Sequence, residues 1–122
     1  MQYIKRFAEL GMGDVGTVGG KNASLGEMVS HLAALDIRVP DGFATTAEAF
    51  RAHLADSGLD GRIAAALEGL DTDDVADLAT AGSEIRRMIV ETPLSEALKE
   101  AIGTGWRELV GEETVSVAVR SS

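Results

Sequence analysis

The chain has 122 residues, 45% hydrophobic and 25% charged, with a formal net charge of −9, a balance that suits a globular fold able to bury roughly two thirds of its unfolded surface. Such acidity without any basic stripe argues against nucleic acid as a partner, and the absence of cysteine removes disulfides and thiolate metal sites. The opening residues are too short an apolar run for a signal peptide, and no stretch approaches the ~18 apolar residues of a membrane span, so a soluble, cytoplasmic protein without membrane partners is expected.

Aromatic residues are only 4% of the chain, which points to helices packed through small and aliphatic side chains. Tyr3 to Leu10 has the residue types of a strand, though its alternation is weak. Five glycines between positions 11 and 20 predict a loop, and from Lys21 the periodicity turns helical, with Leu25, Met28, Val29, Leu32 and Leu35 on one stripe. Val39-Pro40-Asp41-Gly42 reads as a turn, followed by a short strand at Phe43-Ala44-Thr45. Thr45 and Glu48 form a candidate capping box for a helix that buries Phe50 and Leu54 and stops at Ser57-Gly58. A short helix carrying Ile63, Ala66, Leu67 and Leu70 comes next.

Thr72 is the expected N-cap of a longer helix, with Val75, Leu78, Ile85, Met88 and Ile89 on its apolar face and Arg86-Arg87 towards its end. Thr92-Pro93 should open the last helix, whose stripe is Leu98, Ala101, Ile102, Trp106 and Leu109 and whose stop is Gly111. Val115, Val117 and Val119 then alternate as in a half-buried strand. Leu25, Met28, Leu32, Ile85, Ile89, Leu98, Ile102 and Trp106 are the expected core. The fold class is α+β, with four or five helices and a few short strands, and the chain reads as one domain or less.

Several motifs fail on context. Gly11-Met12-Gly13-Asp14-Val15-Gly16 fits the dinucleotide pattern G-x-G-x-x-G, but the helix begins too late for the glycines to open it directly after a strand. Gly20-Lys21 resembles the end of a P-loop, yet Val15 stands where the first glycine is needed and Asn22 replaces the magnesium-binding hydroxyl. Asp71-Thr72-Asp73-Asp74 lacks the glycine and closing glutamate of a calcium loop. His31 and His53 sit beside apolar stripes without ligand spacing, so partly exposed helix residues are expected rather than a metal site. Asn22-Ala23-Ser24 is a glycosylation sequon by pattern only.

Two anion-binding features survive. Paired glycines at a helix start expose backbone N–H groups, and Lys21 adds a point charge beside them. Arg120, at a strand end and followed by the hydroxyls of Ser121 and Ser122, has the reach to grip phosphate oxygens. On residue physics alone, an exposed lysine after a flexible loop and a surface arginine are the commoner outcomes.

Val18-Gly19-Gly20-Lys21-Asn22-Ala23-Ser24-Leu25-Gly26-Glu27-Met28, Val39-Pro40-Asp41-Gly42-Phe43-Ala44-Thr45-Thr46 and Val117-Ala118-Val119-Arg120-Ser121-Ser122 together resemble the start of the phosphoenolpyruvate synthase family. Pyruvate phosphate dikinases and rifampin phosphotransferases share the pattern more loosely. The resemblance implies that residues 1–122 are the N-terminal part of an ATP-grasp nucleotide-binding domain, with Lys21 and Arg120 on the ATP phosphates. It implies as well that the complete enzyme moves a phosphoryl group from ATP to a histidine and then to pyruvate, giving phosphoenolpyruvate, AMP and phosphate. The acidic ligands for Mg2+, the phosphohistidine and the pyruvate site would all lie beyond this chain. No catalytic residue is therefore expected here, and the isolated chain should be inactive. An antibiotic-phosphorylating relative and a non-catalytic nucleotide-binding remnant are the alternatives. Lys21 and Arg120 are expected to face one shared concavity.

Overall fold

Strand β1 (Ile4–Arg6) pairs antiparallel with β2 (Phe43–Thr45), placing Ile4 opposite Thr45, Lys5 opposite Ala44 and Arg6 opposite Phe43. The bonds Phe7 N–H to Gly42 O and Thr46 N–H to Tyr3 O, each 3.0 Å, extend the ladder at its two ends. β1 ends well short of the expected Leu10 because the Glu9 carboxylate accepts from the Arg6 N–H at 2.8 Å. That local bond competes with the ladder, and Phe7–Glu9 turns into a 3-10 helix. The remaining elements are helical: a 3-10 turn at Met12–Asp14, α1 (Val15–Val18), α2 (Gly20–Leu32), a 3-10 turn at Ala33–Leu35, α3 (Ala47–Ser57), α4 (Leu59–Leu67), α5 (Val75–Glu91) and α6 (Glu96–Val110). The computed structural model describes residues 2–122. They form two compact units, one from the chain up to Phe50 together with Glu96–Ser122, the other Arg51–Ser95. Helices with one small antiparallel sheet make this an α+β architecture.

In the first unit Leu10, Val18, Ala23 and Ala44 form the buried cluster, with Phe7 packed at its edge. Two glycines set how closely the helices approach. A Cβ on Gly26 of α2 would stand 2.6 Å from the Leu10 carbonyl oxygen, and one on Gly105 of α6 would stand 2.6 Å from Ile4 Cδ1 and 3.3 Å from the Phe43 ring. Small residues therefore make the contact surface, as the low aromatic content suggested. Leu98 is buried and Leu25, Leu32 and Ile102 are half-buried, but Met28 (41% exposed) and Trp106 (39%) lie on open faces. Phe50 is exposed too. The wide aliphatic stripes drawn from periodicity thus overstate burial, because alanine and glycine take the innermost positions.

Thr46, not Thr45, caps α3: its Oγ1 accepts from the Ala49 N–H at 3.1 Å and donates to the Gln2 carbonyl at 2.8 Å. The second unit packs α4 against α5. Gly58 has φ +70 and ends α3 as expected. Asp74 rather than Thr72 caps α5, accepting from the N–H groups of Ala76 and Asp77, because a cap must sit next to the first helical residue. Ala81 and Met88 are buried and Ile85 half-buried, whereas Val75, Leu78 and Ile89 are exposed. α6 starts at Glu96, three residues after Pro93, and Gly111 ends it with φ +59.

The expected strand at Val115–Val119 is absent. Residues 114–122 carry no regular secondary structure and are exposed, Val119 at 93%. Alternation aims side chains, but a strand also needs a neighbour for its N–H and C=O groups, and among the described residues none pairs with it.

Candidate functional site

The glycine-rich segment is built rather than loose. Asp14 accepts from the Gly11 N–H at 3.0 Å and from the Lys5 ammonium at 3.2 Å, and Met12 N–H donates to the Glu27 carboxylate at 3.0 Å. The Gly11 N–H first, and then Lys5, hold the Asp14 carboxyl below its ordinary value of 3.8. One helical turn, α1, follows, so most of the expected loop is helical. At Gly19 the backbone takes φ +85 and ψ 162, a region open essentially only to glycine, and α2 starts afresh at Gly20.

The start of a helix leaves its first amide groups without intrahelical acceptors. Here the side-chain amide of Asn22 turns back to the Val18 carbonyl at 2.9 Å, while its backbone N–H donates to Ser122 Oγ at 3.1 Å. The contact spans 100 positions and brings the Val-Arg-Ser-Ser segment onto the Gly-Gly-Lys segment. Arg120 is two residues from Ser122, so its Cα lies within about 7 Å of the Ser122 Cα. Lys21 immediately precedes Asn22. Both cations are exposed, and among the described residues neither side chain makes an ion pair or hydrogen bond. Two cavities of the first unit lie elsewhere. One, of about 540 Å³, is lined by β1 and α6, and the other, of about 550 Å³, by the end of α2 and residues 36–40.

Sequence reasoning singled out Lys21 and Arg120 but gave Ser122 only a general role as a hydroxyl near phosphate. The signal for its backbone role was the glycine pair, whose first member needs both an unusual backbone and the absence of a Cβ. Gly19 has both: a Cβ there would stand 2.5 Å from Ser122 Oγ.

Of the histidines, His31 is exposed and its Nδ1 lies 2.9 Å from the Glu27 carbonyl oxygen. His53 is buried at 5% exposure, with Nδ1 lacking a partner. The expectation of partial exposure was therefore wrong for His53; its α3 position faces inward, which a stripe drawn through Phe50 and Leu54 placed one residue away. Among the described residues no group of three or more His, Asp or Glu is placed to hold a metal ion. No helix among the described residues is long and apolar enough to cross a membrane.

Over residues 15–122 the chain matches the family described as pyruvate phosphate dikinase, AMP/ATP-binding domain. It is 55% identical over 123 residues to phosphoenolpyruvate synthase of Neisseria meningitidis serogroup B, covering 98% of this chain and 16% of the relative. Identity is 49% over 117 residues to phosphoenolpyruvate synthase of Escherichia coli K12, covering 95% and 15%. It is 40% over 125 residues to a probable phosphoenolpyruvate synthase of Methanocaldococcus jannaschii, covering 100% and 10%. The chain thus spans at most 16% of the length of these relatives.

Proposed function

The chain belongs to the pyruvate phosphate dikinase AMP/ATP-binding domain family, and from that premise we propose that Lys21 and Arg120 hold the phosphates of ATP at the start of α2. The observation that carries this reading is the Asn22 N–H to Ser122 Oγ bond, which joins the two cation-bearing segments. A triphosphate needs cations arriving from more than one element, since one lysine neither neutralises its charge nor fixes its orientation. Lys21 supplies a compact point charge; Arg120 supplies a planar fork suited to two phosphate oxygens. In water two like charges at ~4 Å repel by only about 1 kcal/mol, so the fold tolerates both cations near each other without a ligand. With a net charge of −9, the overall field opposes a nucleotide, and local cations have to overcome it.

The parent activity in this reading is phosphoryl transfer from ATP through a phosphohistidine to pyruvate, with phosphoenolpyruvate, AMP and phosphate as products. The names of the relatives favour pyruvate over an antibiotic as acceptor. Residues 1–122 act as the part of the nucleotide-binding domain that grips phosphate. Magnesium and the phosphohistidine belong to the rest of a longer enzyme, because phosphoryl transfer depends on positioning plus charge neutralisation, to which Lys21 and Arg120 contribute only part. A cytoplasmic location follows, where ATP and pyruvate are both held.

The test is a titration of the 15N-labelled chain with ATP, read by amide shifts. Residues 19–22 and 120–122 should respond, and Lys21→Ala and Arg120→Ala should each weaken binding. Unchanged affinity in both variants would overturn the assignment.

A further inference from the structure

We infer that Ser122 is a positioning residue for this phosphate site: its hydroxyl, seated against Gly19, locks the Arg120 segment to the start of α2. The inference rests on the assignment of Lys21 and Arg120 to phosphate and adds what holds them in register. Neither cation is held by its own side chain, since among the described residues neither makes an ion pair or hydrogen bond. Residues 114–122 gain nothing from a sheet, having no regular secondary structure. Their named attachment to α2 is Ser122 Oγ accepting from the Asn22 N–H at 3.1 Å.

Three features around that bond favour its geometry. The Asn22 side chain is occupied with the Val18 carbonyl, so it does not compete for its own backbone N–H. The φ of +85 at Gly19 turns the chain so that α2 opens towards Ser122. The missing Cβ at Gly19 leaves the space into which Ser122 fits, since a Cβ would stand 2.5 Å from its Oγ, 3.0 Å from its Cβ and 3.2 Å from its carbonyl carbon. Any side chain at 19 would push Ser122 off the Asn22 amide as well as strain the backbone. Gly19 and Ser122 are thus two halves of one joint. With the joint closed, Arg120 is presented a fixed number of residues from the α2 start; with it open, the segment keeps its charge but must be ordered by the ligand, which weakens binding.

The experiment titrates the 122-residue chain with inorganic tripolyphosphate and with ATP, following the Asn22 amide by 15N-resolved NMR. Ser122→Ala should weaken both ligands about threefold to tenfold, the factor expected for loss of one hydrogen bond. The free Asn22 amide should move upfield while the thermal midpoint stays unchanged. Ser122→Thr, which keeps the hydroxyl, should restore affinity. Gly19→Ala should weaken binding at least as much, and adding Ser122→Ala to it should cost nothing further, as for two residues acting as one unit. If Lys21→Ala and Arg120→Ala weaken binding but Ser122→Ala does not, the positioning role is overturned and the phosphate site stands. Equal weakening by Ser122→Ala and Ser122→Thr overturns the role of the hydroxyl. If Lys21→Ala and Arg120→Ala bind as wild type, the site itself falls and this role with it.

Discussion

Replacing Gly26 by alanine sets two opposed effects against each other on one helix. Alanine is favoured over glycine in a helix interior by about 1 kcal/mol, so a substitution into open space stabilises α2. Gly26 has no open space. The new methyl would stand 2.6 Å from the Leu10 carbonyl oxygen and 2.8 Å from its carbonyl carbon, both backbone atoms that no rotamer change can move. Overpacking costs roughly 1–3 kcal/mol, and a clash with rigid backbone belongs at the upper end. The net is a loss of about 2 kcal/mol, a large share of the ~5–15 kcal/mol that holds a domain together. Gly103→Ala in the same unit is the control. Its Cβ would meet only the end of the Arg107 side chain at 3.4 Å, which can swing away, so it should gain about 0.5–1 kcal/mol. Urea unfolding followed by the fluorescence of Trp106, the one tryptophan, reads the first unit. A midpoint for Gly26→Ala at or above that of wild type, with the slope against urea unchanged, would refute the argument that Leu10 and α2 touch through glycine.

Asp14 supplies a pH prediction. Its carboxyl is held below 3.8 in the folded chain, so its contribution is complete above about 3.8 and is lost as pH falls through the lower folded value. Asp14→Asn should therefore flatten the acid limb of stability against pH below about 4 and change little of its shape at neutral pH; an unchanged acid limb would remove Asp14 from that role. The isolated chain is expected to form no AMP from ATP and pyruvate, because phosphoryl transfer needs a metal ion and an acceptor as well as the phosphate grip proposed for Lys21 and Arg120. Pyruvate-dependent AMP release by the purified 122 residues would refute this.

The elements most legible in the sequence are those set by one or two neighbouring residues. Glycines at 58 and 111 end helices because they adopt positive φ, which residues with a Cβ avoid. The strand at Phe43–Thr45 follows from residues that suit a pleated surface, whereas the turn expected at 39–42 is irregular backbone. Lys21 and Arg120, the pair proposed for phosphate, could be singled out because residue type and motif order are properties of the chain itself. What needed the tertiary structure is whatever depends on a distant partner. Val115–Val119 alternates as a strand does, yet lacks a neighbouring strand among the described residues. Beside the expected Leu98, the interior positions of α2 and α6 went to Ala23, Gly26 and Gly105, where closeness to Leu10, Ile4 and Phe43 rather than hydropathy favoured a glycine at 26 and 105. The bond from Asn22 to Ser122 spans 100 positions. Local physics offered a helix start with a free amide and a serine with a free hydroxyl, and only folding brought them within reach of each other.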